Sequence, residues 1–204
     1  VSSSGADVLS GLITLLGVGV CSVTLVVLHF LPTGLSLFAN PVSQYGITRF
    51  RVGYRIQTIS MGVSAVAAAI GIKEIDIPGS TLVMALLLLS GASRCVISWF
   101  PMDSPDSILT KTGRRHGVLA IIAFASATIA AIHLGGILEN ANVWRNTSGA
   151  IFGIGIEMLV SLFAMGIVRH QGKARGYFGL AERAFYLGAV AFLVLVGAGL
   201  IWAH

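Results

Sequence analysis

The sequence predicts an all-α bundle of six transmembrane helices, built as one domain over residues 1–204. Three observations lead there. Hydrophobic residues are 55% of the chain and charged residues 10%, against about 25% charged in an ordinary soluble domain. The charges avoid six apolar runs, each near the roughly 20 residues that cross a ~30 Å hydrocarbon core. The runs are continuously apolar and do not alternate, which fits helices and not barrel strands.

The first run, 8–30, follows "VSSSGAD", which has no basic region, and it exceeds the length of a signal-peptide core; it is read as a retained helix. In the connection 31–53, Pro32, Gly34 and Pro41 break helix, and Leu35, Leu37 and Phe38 are placed to dip back to the membrane surface. The second run, 54–72, carries a polar stripe of Gln57, Ser60 and Ser64. The third, 80–100, ends on Trp99 and Phe100 at interface depth and stops at Pro101. The fourth, 116–136, opens at His116 behind the basic "KTGRR". The fifth, 147–168, begins within the sequon Asn146-Thr147-Ser148. The sixth, 184–203, follows "RHQGKARGYFGLAER", where Tyr177 and Phe178 suit headgroup depth. Cys21 and Cys95 lie inside runs and are expected to pack as small apolar residues.

Six crossings put the connections 31–53, 101–115 and 169–183 on one face. They hold nine basic residues, against Lys73 and Arg145 on the other. This bias predicts that the nine face the cytoplasm and that both termini lie outside it, in the plasma membrane. The net charge of +5 then reads as topology and attraction to anionic membrane lipid, worth about 1 kcal/mol per residue near the surface. Nucleic acid is not an expected partner.

The polar residues of the cytoplasmic face allow two readings. In one, Asp103 and Asp106 only cap and solvate a turn. In the other, Asp103, His116, Arg114, Arg115, Ser43 and Tyr45 form a pocket at the mouth of the bundle. There Asp103 and His116 are the candidate catalytic pair, for acid–base work or a metal, and the arginines hold a phosphate head group. Inside the membrane, charge is costly and marks function by default. Arg94 shares a helix face with Ser90 and Ser98, and Glu157 shares one with Gly149, Gly153 and Ser161. Their axial offset is about 7 Å if the helices start level. The expectation is a pair, direct or through a polar bridge. The alternatives are an Arg94 that snorkels alone and a Glu157 that serves proton-coupled transport. Polar faces on the second, third and fifth runs predict a shared interior seam, either a cavity for a lipid-like ligand or helix–helix glue.

His29 and His116 sit at the cytoplasmic level, His133 and His204 at the outer one. Two histidines at each of two depths admit a haem- or pigment-carrying subunit, with His29, His116 and His133 as metal candidates. The sequence itself assigns no cofactor. No HExxH, GxSxG or GxxxxGK is present.

Phe100-Pro101-x-Asp103 with His116 a dozen residues on, Ser43-x-Tyr45-Gly46, and Gly179-x-x-Glu182-Arg183 occur in an order and placement that resemble the bacterial and archaeal membrane proteins grouped as domain of unknown function 998. The resemblance spans about residues 8–203. It implies a six-span membrane bundle and supplies no reaction. It adds Glu182 and Arg183 to Asp103 and His116 as a linked polar set. The expected function is therefore recognition of a lipid or amphiphile at a cytoplasmic-face polar site, with a role as subunit of a larger membrane complex. The alternatives are a lipid-modifying enzyme using Asp103 and His116, a small transporter using Glu157, and a haem or pigment carrier.

Overall fold

The computed structural model describes residues 5–75, 77–104, 107–141, 144–170 and 176–202, apart from the side chain of His170. His204 and Asp106 lie outside the described residues. The regular elements described are all helical: α1 Ala6–Phe30, α2 Arg51–Glu74, α3 Thr81–Ile97, α4 Lys111–Leu138, α5 Ser148–His170 and α6 Phe178–Trp202, with short 3-10 turns at Val42–Ile47 and Arg145–Thr147.

All but α3 are long and apolar enough to cross a membrane, and α3 has 17 residues. The chain is an integral membrane protein that crosses several times. The helices overrun the apolar runs that announce them. α4 begins five residues before His116, and α6 six residues before the apolar run at 184. A hydrophobic count stops at the first charge, but the backbone hydrogen-bond ladder does not, so Lys111–Arg115 and Phe178–Arg183 extend their helices as polar first turns.

Each helix packs on its sequence neighbours, and α6 returns to α1, closing a ring; α2 also touches α6. Antiparallel neighbours therefore put the N-termini of α2, α4 and α6 at one end, with the connections 31–50, 98–110 and 170–177. We call this the basic end. Lipid tails are as apolar as leucine, so helices gain from close approach rather than from hiding apolar surface. Small residues provide that approach. A Cβ on Gly62 of α2 would lie 2.7 Å from the Gly91 carbonyl oxygen of α3, and one on Gly91 2.8 Å from the Gly62 carbonyl. On α4 and α5, Gly155 lies against Ile132, and Gly135 against Phe152. These contacts also fix which residues of the two helices lie level.

Candidate functional site at the basic end

The turn from α3 to α4 is built from its own side chains. Thr110 is the N-cap of α4: its hydroxyl accepts from the Gly113 amide at 3.0 Å and donates to Asp103 Oδ1 at 2.7 Å. Asp103 Oδ2 accepts from the Thr110 amide at 2.8 Å. One aspartate thus holds the cap that holds the helix. Buried His116, one turn further, bonds through Nδ1 to the Phe100 carbonyl at 2.8 Å, tying α4 back to the end of α3. Gly113 is required here, because any Cβ would overlap the Asp103 carboxylate. Gly113→Ala is expected to cost about 1–3 kcal/mol by displacing that carboxylate. Asp103→Ala should relieve the clash, so the double variant should be no less stable than Asp103→Ala alone in denaturation of the detergent-solubilised protein.

A second cluster docks the first connection on α6. Buried Glu182 accepts the Val42 amide on Oε2 at 2.6 Å. Arg183 donates from Nε to His29 Nε2 at 3.0 Å, from Nη1 to the carbonyls of Asn40 and Gly179 at 2.9 Å each, and from Nη2 towards Tyr45 Oη at 3.5 Å. Tyr45 is fully buried. The Phe38 carbonyl accepts from the Leu180 amide at 2.9 Å. A Cβ on Gly179 would lie 2.5 Å from the Asn40 carbonyl oxygen, so only glycine lets the two backbones meet. Ser43 bridges the clusters, its hydroxyl 3.1 Å from Met102 Sδ.

The arginines outside these clusters behave differently. Arg49, Arg51, Arg55, Arg114 and Arg115 are exposed. The Arg55 guanidinium lies 5.0 Å over the Trp99 ring, that of Arg115 5.7 Å over Phe100, and that of Arg49 4.7 Å over Phe50. None is ion-paired among the described residues. The first turns of α2, α4 and α6 contain no acid, although helix N-termini are positive and favour acids. Three helix ends and a ring of cations therefore add their fields at one end.

Arg94 is buried in the core, 3% exposed. Nη1 donates to Tyr186 Oη at 2.6 Å and Nη2 to Gln57 Oε1 at 3.3 Å. The guanidinium also lies 4.9 Å from the Tyr186 ring centroid and 5.9 Å from that of Phe124. Gln57 in turn donates to Cys21 Sγ at 3.3 Å. Nε has no partner, and Arg94 and Ser90 line an internal cavity of about 20 Å³, room for roughly one water. The expected pairing with Glu157 is not made. Glu157 is exposed on the outer side of the ring, accepts from Ser161 Oγ at 2.8 Å and leans on Gly188 of α6. The levels of the two helices suit a pair, but their faces do not. The interior seam thus joins α2, α3 and α6, while Gly149, Gly153 and Glu157 of α5 face outward and only Ser161 of that stripe is buried. On α2, Ser60 and Ser64 return their hydroxyls to their own helix, to the Ile56 and Ser60 carbonyls.

Of the histidines, His29 Nε2 is committed to Arg183 and His116 Nδ1 to Phe100. His133 is half-buried on α4. Among the described residues no three His, Cys, Asp or Glu side chains gather as a metal shell. Sequence reasoning passed over Tyr186, Gln57 as the partner of Arg94, Thr110, Asn40, and Trp99 as a platform for Arg55. Thr110 was the findable one: a threonine three residues before Gly113, at the mouth of an apolar run, has the form of an N-cap.

No curated protein and no solved structure matches the chain. The model of the family described as protein of unknown function (DUF998) matches residues 15–199. That match includes Ser43, Tyr45, Asp103, His116, Glu182 and Arg183, the residues that build both clusters. The chain belongs to the DUF998 family of proteins of unknown function.

Proposed function

We propose that this protein crosses the plasma membrane six times, with both termini outside the cytoplasm, and binds anionic lipid head groups at its cytoplasmic, basic end. The observation that carries the reading is the set of exposed guanidiniums, carried on Trp99, Phe100 and Phe50, with no carboxylate opposite them among the described residues. The described acids of this end are committed elsewhere, Asp103 to the Thr110 cap and Glu182 to the Val42 amide. Guanidiniums match phosphate oxygens in fork geometry. Aromatic rings at headgroup depth hold them level with the phosphates. α3 supports the six-span count although it is short: it packs along α2 and α4, and the turn from Ser98 to Phe100 extends it towards the headgroups.

The test is lipid retention after exchange into vesicles of phosphatidylcholine with and without phosphatidylglycerol, read by native mass spectrometry. Phosphatidylglycerol should be retained preferentially, and less so at high salt. Arg55→Gln with Arg115→Gln should weaken retention by about 2 kcal/mol, roughly 30-fold. Equal retention of the two lipids would refute the reading.

A further inference from the structure

Six helices in a ring leave a lipid-facing surface that should be apolar throughout. Two ionisable side chains interrupt it, Glu157 near mid-depth and His133 nearer the outer end. Glu157 is exposed on α5, about ten residues into a 23-residue helix. Its bond to Ser161 leaves a carboxylate on the lipid-facing surface with no cation beside it among the described residues. His133 is half-buried on α4, on the face of exposed Ile129 and Gly136, and makes no hydrogen bond to any described residue. Gly155 and Ile132 lie level, so Glu157 and His133 differ in depth by about three residues, roughly 4.5 Å. Within one protomer they cannot meet. Glu157 lies on the α6 side of α5, and His133 is turned away from the α5 contact made by Ile132 and Gly135.

The outer end repeats the pattern with the signs exchanged. Glu139 ends α4 and Arg145 precedes α5; both are exposed. They flank a depression of about 510 Å³ floored by Gly135, Ser148, Gly149 and Phe152. Read from α4 to α5, the surface carries an imidazole then a carboxylate within the span, and an acid then a base at the outer end.

We propose that the α4–α5 face is the interface of a homodimer. The two-fold axis runs along the membrane normal, so α4 of one protomer faces α5 of the other. Such a rotation preserves depth. It sets His133 against the partner's Glu157 and Glu139 against the partner's Arg145, each twice. Charge complementarity at two levels is what selects a second copy of this chain over an unrelated helix: the complement of each group is already present at the right depth. Gly149, Gly153 and Gly136, whose Cβ positions are open, allow the helices to approach closely. The inference does not depend on lipid binding at the basic end.

The experiment is native mass spectrometry of the full chain released from nanodiscs, over a range of protein-to-lipid ratios. Wild type should be a dimer. Glu157→Gln and His133→Asn should each weaken the dimer roughly tenfold, the scale of interhelical hydrogen bonds counted twice. Exchanging the two, Glu157→His with His133→Glu, should restore it. Gly149→Leu fits the open space of the protomer and should give a folded monomer, with helical circular dichroism unchanged. A monomeric wild type at every ratio overturns the proposal. So does a dimer indifferent to all four variants, and so does stoichiometric capture of a different membrane protein that Glu157→Gln releases.

Discussion

Arg94→Ala is expected to lower folding stability by about 3–5 kcal/mol. Truncation empties the centre of the bundle next to an existing cavity, and it strands the Tyr186 hydroxyl and the Gln57 carbonyl oxygen that now accept from Arg94. Cavity and unpaired polar groups act in the same direction. Arg94→Met should cost much less. Methionine keeps most of the volume and removes the buried charge, whose desolvation offsets much of what its contacts contribute. Thermal denaturation of the two variants in one detergent, followed by tryptophan fluorescence, separates packing from charge. Equal losses for alanine and methionine would mean that the guanidinium itself organises the core.

The second large effect belongs to Arg183. Arg183→Ala is expected to cost about 3 kcal/mol, because it strands the carbonyl of Asn40 and His29 Nε2 together. The loss is local. Hydrogen exchange should accelerate across residues 31–50 and stay unchanged across 107–116, whose bonds run among Phe100, Asp103, Thr110 and Gly113. Arg183→Lys should not rescue it. One ammonium cannot serve acceptors placed around both edges of a planar fork. Equal acceleration in both segments would show that the two clusters are one cooperative unit.

The helices were legible because hydrocarbon demands long apolar runs, and the basic end was legible because connections of one side collect arginine. Which face of a helix looks inward was not. In a soluble helix, burial shows as periodicity, but here both faces are apolar, and polar residues are the only marks. The stripe of Gly149, Gly153 and Glu157 looks like an inward seam by spacing, yet Gly149 and Gly153 meet open space. Arg94 was correctly marked as buried and given the wrong partner. Its true partner, Tyr186, stands in an aromatic-rich run that offers no reason to single it out. At the basic end, the residue types of Asp103 and His116 suit catalysis and suit capping equally. Only the distances to Thr110 and Phe100 show what they hold.

The two clusters of the basic end differ in how far they reach along the chain. The turn from α3 to α4 is closed by partners 3 to 16 residues apart, whereas Glu182 and Arg183 bind residues 138 to 154 positions earlier. A ribosome delivers α3 and α4 as a hairpin that can lock as soon as it emerges. The connection after α1 must wait through the synthesis of four more helices, its carbonyls and the His29 ring unclaimed, until α6 arrives. The last span to be made is therefore the latch of the first, and a nascent chain stalled before Glu182 leaves that segment undocked.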